Sequence, residues 1–81
     1  MKPNQKCYAL YVNLTTNYIS FKIEEGKFLG KLLDNKINDK DYYVVEHNDD
    51  EVNYLQMDDI FATEKEAFEA LIKMLKVKVK S

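Results

Sequence analysis

Thr63-Glu64-Lys65-Glu66-Ala67-Phe68-Glu69-Ala70-Leu71-Ile72-Lys73-Met74-Leu75-Lys76 is the stretch on which the fold turns. Thr63 followed three residues later by Glu66 is a capping box. The Thr63 hydroxyl is placed to accept from the Glu66 amide, and the Glu66 carboxylate to reach back to the Thr63 amide. Glu64 and Glu66 in the first turn, with Lys73 and Lys76 near the end, complement the helix dipole. Ala67, Phe68, Leu71, Ile72 and Leu75 recur at i, i+3 and i+4 and draw one apolar stripe. That stripe has to cover something, and the chain on its N-terminal side reads as strand.

Working back from the helix, Asp58-Asp59 breaks a ladder and Ile60-Phe61 is expected to plug one end of the core. Residues 52–57 read as a fifth strand, with Tyr54 sharing the face of Val52 as core. Residues 41–47 read as a fourth, built on the β-forming run Tyr42-Tyr43-Val44-Val45. Asn48-Asp49-Asp50 is the hairpin between them. Residues 34–40 are a polar loop anchored by Ile37. A third strand spans residues 28–33, where Gly30 marks a bulge or bend. Glu25-Gly26-Lys27 reads as a reversal, with Gly26 free to take positive φ. The second strand, residues 18–24, alternates with Ile19, Phe21 and Ile23 inward. Thr15-Thr16-Asn17 supplies turn chemistry. In the first strand, residues 7–14, Tyr8, Leu10, Val12 and Leu14 share one face, and Cys7, Ala9 and Tyr11 make the other only half polar. A strand apolar on both sides belongs in the middle of a sheet. Residues 1–6 are expected to be a flexible start. Val77-Lys78-Val79-Lys80 drops to a period of two, as a lysine-guarded edge strand or a tail over residues 77–81. The fold expected is α+β and mostly β: a five-stranded antiparallel, partly closed barrel or strongly curled sheet with one C-terminal helix, in a single domain over residues 7–76.

The sharpest stretch, Asp58-Asp59-Ile60-Phe61-Ala62-Thr63-Glu64-Lys65-Glu66-Ala67, resembles the D-x-F-x-T-x-E-E-A ending of small bacterial and phage proteins with a Src-homology-three-like barrel followed by one helix. Glu24-Glu25-Gly26-Lys27-Phe28-Leu29-Gly30 and Tyr42-Tyr43-Val44-Val45 fall where those barrels place middle strands. Position 65 is Lys where the pattern often has Glu, which alters charge but not capping. The resemblance spans most of residues 7–76 and implies architecture. Those proteins share no catalytic residues, so it transfers no site.

With 81 residues the chain has room for one thin core, which favours a binding surface over a deep pocket. The net charge is −2 and every one of the 12 basic residues is Lys, the bias of an AT-rich genome. Without Arg the chain lacks the guanidinium fork that reads guanine or grips phosphate. The lone Cys7 forms no internal disulfide, and Cys7 with the lone His47 cannot supply four zinc ligands. No secretory signal and no membrane-length apolar run is visible, so a cytoplasmic location is expected. No metal or other cofactor is expected.

His47 as a general base would need an orienting carboxylate and a nucleophile, and the only serines are Ser20 and Ser81. A Cys7–His47 pair is the remaining arrangement, against which stands the usual role of such a cysteine as a small buried residue. Asn48-Asp49-Asp50-Glu51 lacks the alternating ligands and the glycine of a calcium loop. What stands out instead is aromatic and acidic. Tyr11, Tyr18 and Tyr43 are expected to face outward as amphipathic contact area. Glu46, Asp49, Asp50 and Glu51 offer a docking face for a basic partner, or simply a solvated hairpin tip. The expected function is a non-enzymatic protein-interaction module, encoded by a phage or mobile element, that binds and inhibits a host defence protein. The alternatives are a small nucleic-acid-binding barrel using the lysines at the two ends, disfavoured by the acidic balance, and a self-associating homodimer.

Overall fold

The computed structural model describes residues 1–32, 40–48 and 50–79, with side chains as far as Lys76. Five strands lie in one antiparallel sheet: β1 (Gln5–Leu14), β2 (Ile19–Lys31), β3 (Tyr43–Glu46), β4 (Val52–Leu55) and β5 (Ile60–Phe61). Their spatial order is β4-β3-β2-β1-β5. A short 3₁₀ turn (Met57–Asp59) leads into β5, and α1 (Glu64–Val79) closes the chain. The sheet is open, with β4 and β5 as its edges.

Five strands were expected and five are present, but they are assigned differently. The predicted reversal at Glu25-Gly26-Lys27 does not occur: β2 runs straight through it, and Gly26 pairs with Cys7 in mid-strand. Gly26 serves close approach rather than a turn. A Cβ there would lie 2.7 Å from Val45 Cγ1, 2.8 Å from His47 Nδ1 and 2.9 Å from the Glu46 carbonyl. Gly30 does take a positive φ, 132°, where the β2–β3 register shifts between Phe28 and Gly30. The bulge read from sequence is therefore there. Ile60-Phe61, expected as a plug, is the fifth strand, with Ile60 opposite Ala9 and Phe61 opposite Tyr8. β1 begins at Gln5, and the Asn4 amide donates to the Phe28 carbonyl, so the start of the chain is tied to the sheet. α1 continues through Val79, where a tail or edge strand was expected. Most of the predicted loop, with Ile37, lies outside the described residues.

The core sits on one face of a strongly curled sheet. Cys7, Ala9, Phe28, Val45, Leu55 and Ile60 form one buried cluster, with Tyr11 and Tyr43 packed against it. Leu55 and Ile60 belong to the two opposite edges, which a flat five-stranded sheet would hold about 19 Å apart. The chain joins them through one 3₁₀ turn in five residues, about 17 Å even at full extension, so the sheet has to bend round on itself. Tyr43 stacks on Phe28 with ring centroids 5.8 Å apart.

The helix covers the opposite face. Residues directly across a ladder point the same way, so Leu10 with Ile23, Val12 with Phe21 and Tyr8 with Phe61 share that side. Leu10, Ala67 and Leu71 are buried, and Phe21 meets Phe68 edge-on at 6.4 Å between centroids. Ile19, Phe21 and Ile23, expected inward, lie on this helix-bearing face and not on that of the buried cluster, and Ile19 and Phe21 are exposed. The helix docks mainly over β1 and β5, so its outer stripe, Phe68 and Ile72, overhangs β2 without being covered. Thr63 caps as read, its hydroxyl accepting from the Glu66 amide at 3.2 Å. The Glu66 carboxylate accepts from that same hydroxyl at 3.0 Å, instead of from the Thr63 amide as the capping box suggests.

Candidate interaction surface

The chemistry-bearing side chains sort by face. On the concave side, His47 follows β3 and is buried. Its Nδ1 lies 2.9 Å from the Glu25 carbonyl, which can only accept, so Nδ1 carries the proton. Nε2 then accepts from the Tyr11 hydroxyl at 2.8 Å. Both ring nitrogens are thereby engaged, and no lone pair is left for a nucleophile. Burial pushes the Cys7 thiol up, away from the thiolate a nucleophile needs. The Cys7–His47 pair weighed from sequence is not assembled. Among the described residues there is no group of three metal-ligating side chains.

Around this pair the charges compensate one another. Burial, first among its causes, holds the Tyr11 phenol above its ordinary value, opposed by a hydrogen bond with Asn53. The Lys22 ammonium, 2.8 Å from Glu24, holds that carboxyl below its ordinary value. A shallow cleft of about 330 Å³ beside the β3–β4 turn is lined by Lys6, Glu25, Lys27, Glu46, His47 and Asp50. Lys6 is paired there with Glu25 at 3.2 Å. Charges of both signs alternate along its walls, so the cleft suits no single ionic ligand.

The expected partner-binding residues divide. Tyr11 and Tyr43 are not outward contacts, because one is held by His47 and the other by Phe28. Both lie on the curled side, where the bend turns the half-polar face of β1 into core. Tyr18 is 59% exposed, but in the β1–β2 turn. At ~3.3 Å per residue this is roughly 20 Å along β2 from the turn between β3 and β4. Glu46, Asp50 and Glu51 do lie together around that turn, with Asp50 at a positive φ of 58°. Asp49 lies outside the described residues.

Two surface groups went unread in the sequence. Tyr54, expected in the core with Val52, is 55% exposed: the two do share a face, but it is the outer one. The alternation was visible, yet the opposite phase, Asn53 and Leu55, ends in an equally apolar residue, so periodicity alone could not choose the inner side. The second group is the row of Phe21, Ile19, Phe68 and Ile72. Among the described residues no helix is long and apolar enough to cross a membrane. Comparison with protein-family models, with curated proteins and with solved structures gives no match.

Proposed function

We propose that the chain is a non-enzymatic protein-binding module whose β3–β4 hairpin engages a basic segment of a protein partner. The observation that carries this reading is the outer face of the hairpin. Val52 stands opposite Glu46 and Tyr54 opposite Val44, so the half-exposed Tyr54 and exposed Val52 share a face with an acidic residue. Asp50 and Glu51 extend the acidic character around the turn. A tyrosine held on a strand supplies contact area at low entropic cost, and flanking carboxylates steer a cationic partner. Inhibition of a host defence protein by a phage or mobile-element product is the narrower version, and the clustered acids suit it. The finer fold reading, a partly closed Src-homology-three-like barrel, draws support from the single 3₁₀ turn that ties one edge strand, β4, to the other, β5. The nucleic-acid alternative loses ground because Lys6 is neutralised by Glu25.

The test is to capture partners with the full chain from a low-GC bacterial lysate, identify what is retained, and titrate the purified partner. Tyr54→Ala is expected to weaken that binding about tenfold or more, and the Glu46→Lys, Asp50→Lys double variant to weaken it and flatten its salt dependence. No specific retention, or an affinity unmoved by both variants, would sink the reading.

A further inference from the structure

The β1–β2 hairpin extends past β3, and this leaves part of β2 with a bare outer edge. β3 pairs with β2 only from Lys27 to Lys31. Among the described residues, β2 between Ile19 and Glu24 therefore has β1 on one side and no strand paired on the other. Which backbone groups face outward follows from the ladder. The Thr15 amide donates to the Tyr18 carbonyl, so Tyr18 points at β1, whereas the Glu25 carbonyl takes His47 from the far side. Alternation then turns the N–H and C=O of Ile19, Phe21 and Ile23 outward.

The side chains along this edge are apolar on the helix-bearing face. Ile19, Phe21, Phe68 and Ile72 keep between 42% and 50% of their surface exposed. At about 200 Å² for each large side chain this leaves on the order of 400 Å² of apolar surface on one copy. Two such patches with their flanking backbone reach the roughly 1,000 Å² of a specific interface.

We propose that β2 pairs antiparallel with β2 of a second copy, about a two-fold axis through Phe21. The charge pattern favours this register over one centred on Lys22. Centred on Phe21, the outward groups of Phe21 meet their own symmetry mates, and Ile19 meets Ile23 of the second copy in the same kind of hydrogen-bonded pair. On the other face Ser20 falls opposite Lys22 and Tyr18 opposite Glu24, so no like charges meet. Shifting the axis to Lys22 would set lysine directly against lysine, which cross-strand pairing disfavours. Phe68 and Ile72 of the two helices then flank the junction on one side of a continuous sheet. The patch is self-complementary, as a two-fold interface requires.

Light scattering and sedimentation of the full chain up to about 500 µM give the first test. A reversible dimer is expected, weakened about tenfold or more by Phe21→Asp at unchanged circular dichroism. The second test reads the register and needs no disruptive variant. Under mild oxidation, Ser20→Cys chains mixed with Lys22→Cys chains are expected to cross-link with each other far faster than either does with itself. Cys7 is buried and takes no part. A monomer throughout the concentration range overturns the proposal. So does a dimer indifferent to Phe21→Asp, or one in which each cysteine variant prefers its own kind.

Discussion

Tyr11 and His47, 36 residues apart in the chain, are joined by a 2.8 Å hydrogen bond across β2. Tyr11 sits opposite Lys22, while His47 comes just after Glu46, which sits opposite Lys27. In a flat sheet their Cα atoms would be offset by roughly 13 Å along the strands and about 10 Å across them. Side chains of this length reach one another only if the sheet coils. The bond is thus a direct readout of the curl, and His47 acts as its clip: one nitrogen holds the edge of β2 at Glu25, the other holds β1.

Tyr11→Phe removes one partner and leaves the buried Nε2 of His47 unsatisfied. A loss of about 1–3 kcal/mol is expected in denaturant unfolding. The pH dependence has a definite sign. The folded Tyr11 value is raised above the ordinary 10.0, so its contribution is present below pH 10.0 and lost as pH rises through the folded value. Stability of Tyr11→Phe is therefore expected to fall less steeply above pH 10.0 than that of the parent chain.

Gly26→Ala and Gly30→Ala are both expected to destabilise, for different reasons. At Gly26 the added carbon meets a backbone carbonyl at 2.9 Å as well as two packed side chains, so strands must move apart. A cost of about 1–3 kcal/mol or more is expected, with loss of His47 amide protection in hydrogen exchange. At Gly30 there is open space but a φ of 132°, so the cost of about 1–3 kcal/mol is backbone strain alone. Exchange near His47 should then be unchanged.

Leu71→Ala is expected to cost about 2–5 kcal/mol in thermal or denaturant unfolding, because Leu71 is buried under the helix. Phe68→Ala is expected to cost clearly less, since Phe68 keeps 42% of its surface exposed. Equal losses would mean that the helix is docked on a different stripe.

Thr63→Ala is expected to cost about 1 kcal/mol, read as a lower unfolding midpoint with frayed helix ellipticity. Thr63→Ser keeps the oxygen that accepts from the Glu66 amide and should restore most of it.

Asp59→Asn is expected to stabilise the chain at neutral pH. Burial, with the neighbouring Asp58 second, raises the Asp59 carboxyl above its ordinary 3.8. Such a group favours the fold below pH 3.8 and withdraws that support as pH rises through the folded value. The gain from Asp59→Asn should therefore vanish below pH 3.8. Glu24 has the opposite sign: its lowered value supports the fold above pH 4.5 and is lost in more acid solution. Glu24→Gln should flatten that acid limb.

By itself the sequence determined the local elements. The Thr63 cap, the helical stripe through Leu71, the bulge at Gly30 and the alternation along β1 and the first half of β2 are all encoded within a few residues, where propensity and periodicity act. Tertiary structure alone decided which side of each pleat became interior. Alternation assigns side chains to two faces but does not rank the faces, and a curl made by contacts such as Tyr11 with His47 buries one of them. That is why Tyr43 turned inward and Tyr54 outward. It is also why Gly26, which reads as a turn residue, serves the approach of Val45 and His47 from another strand: the close neighbour that demands a glycine lies far along the chain.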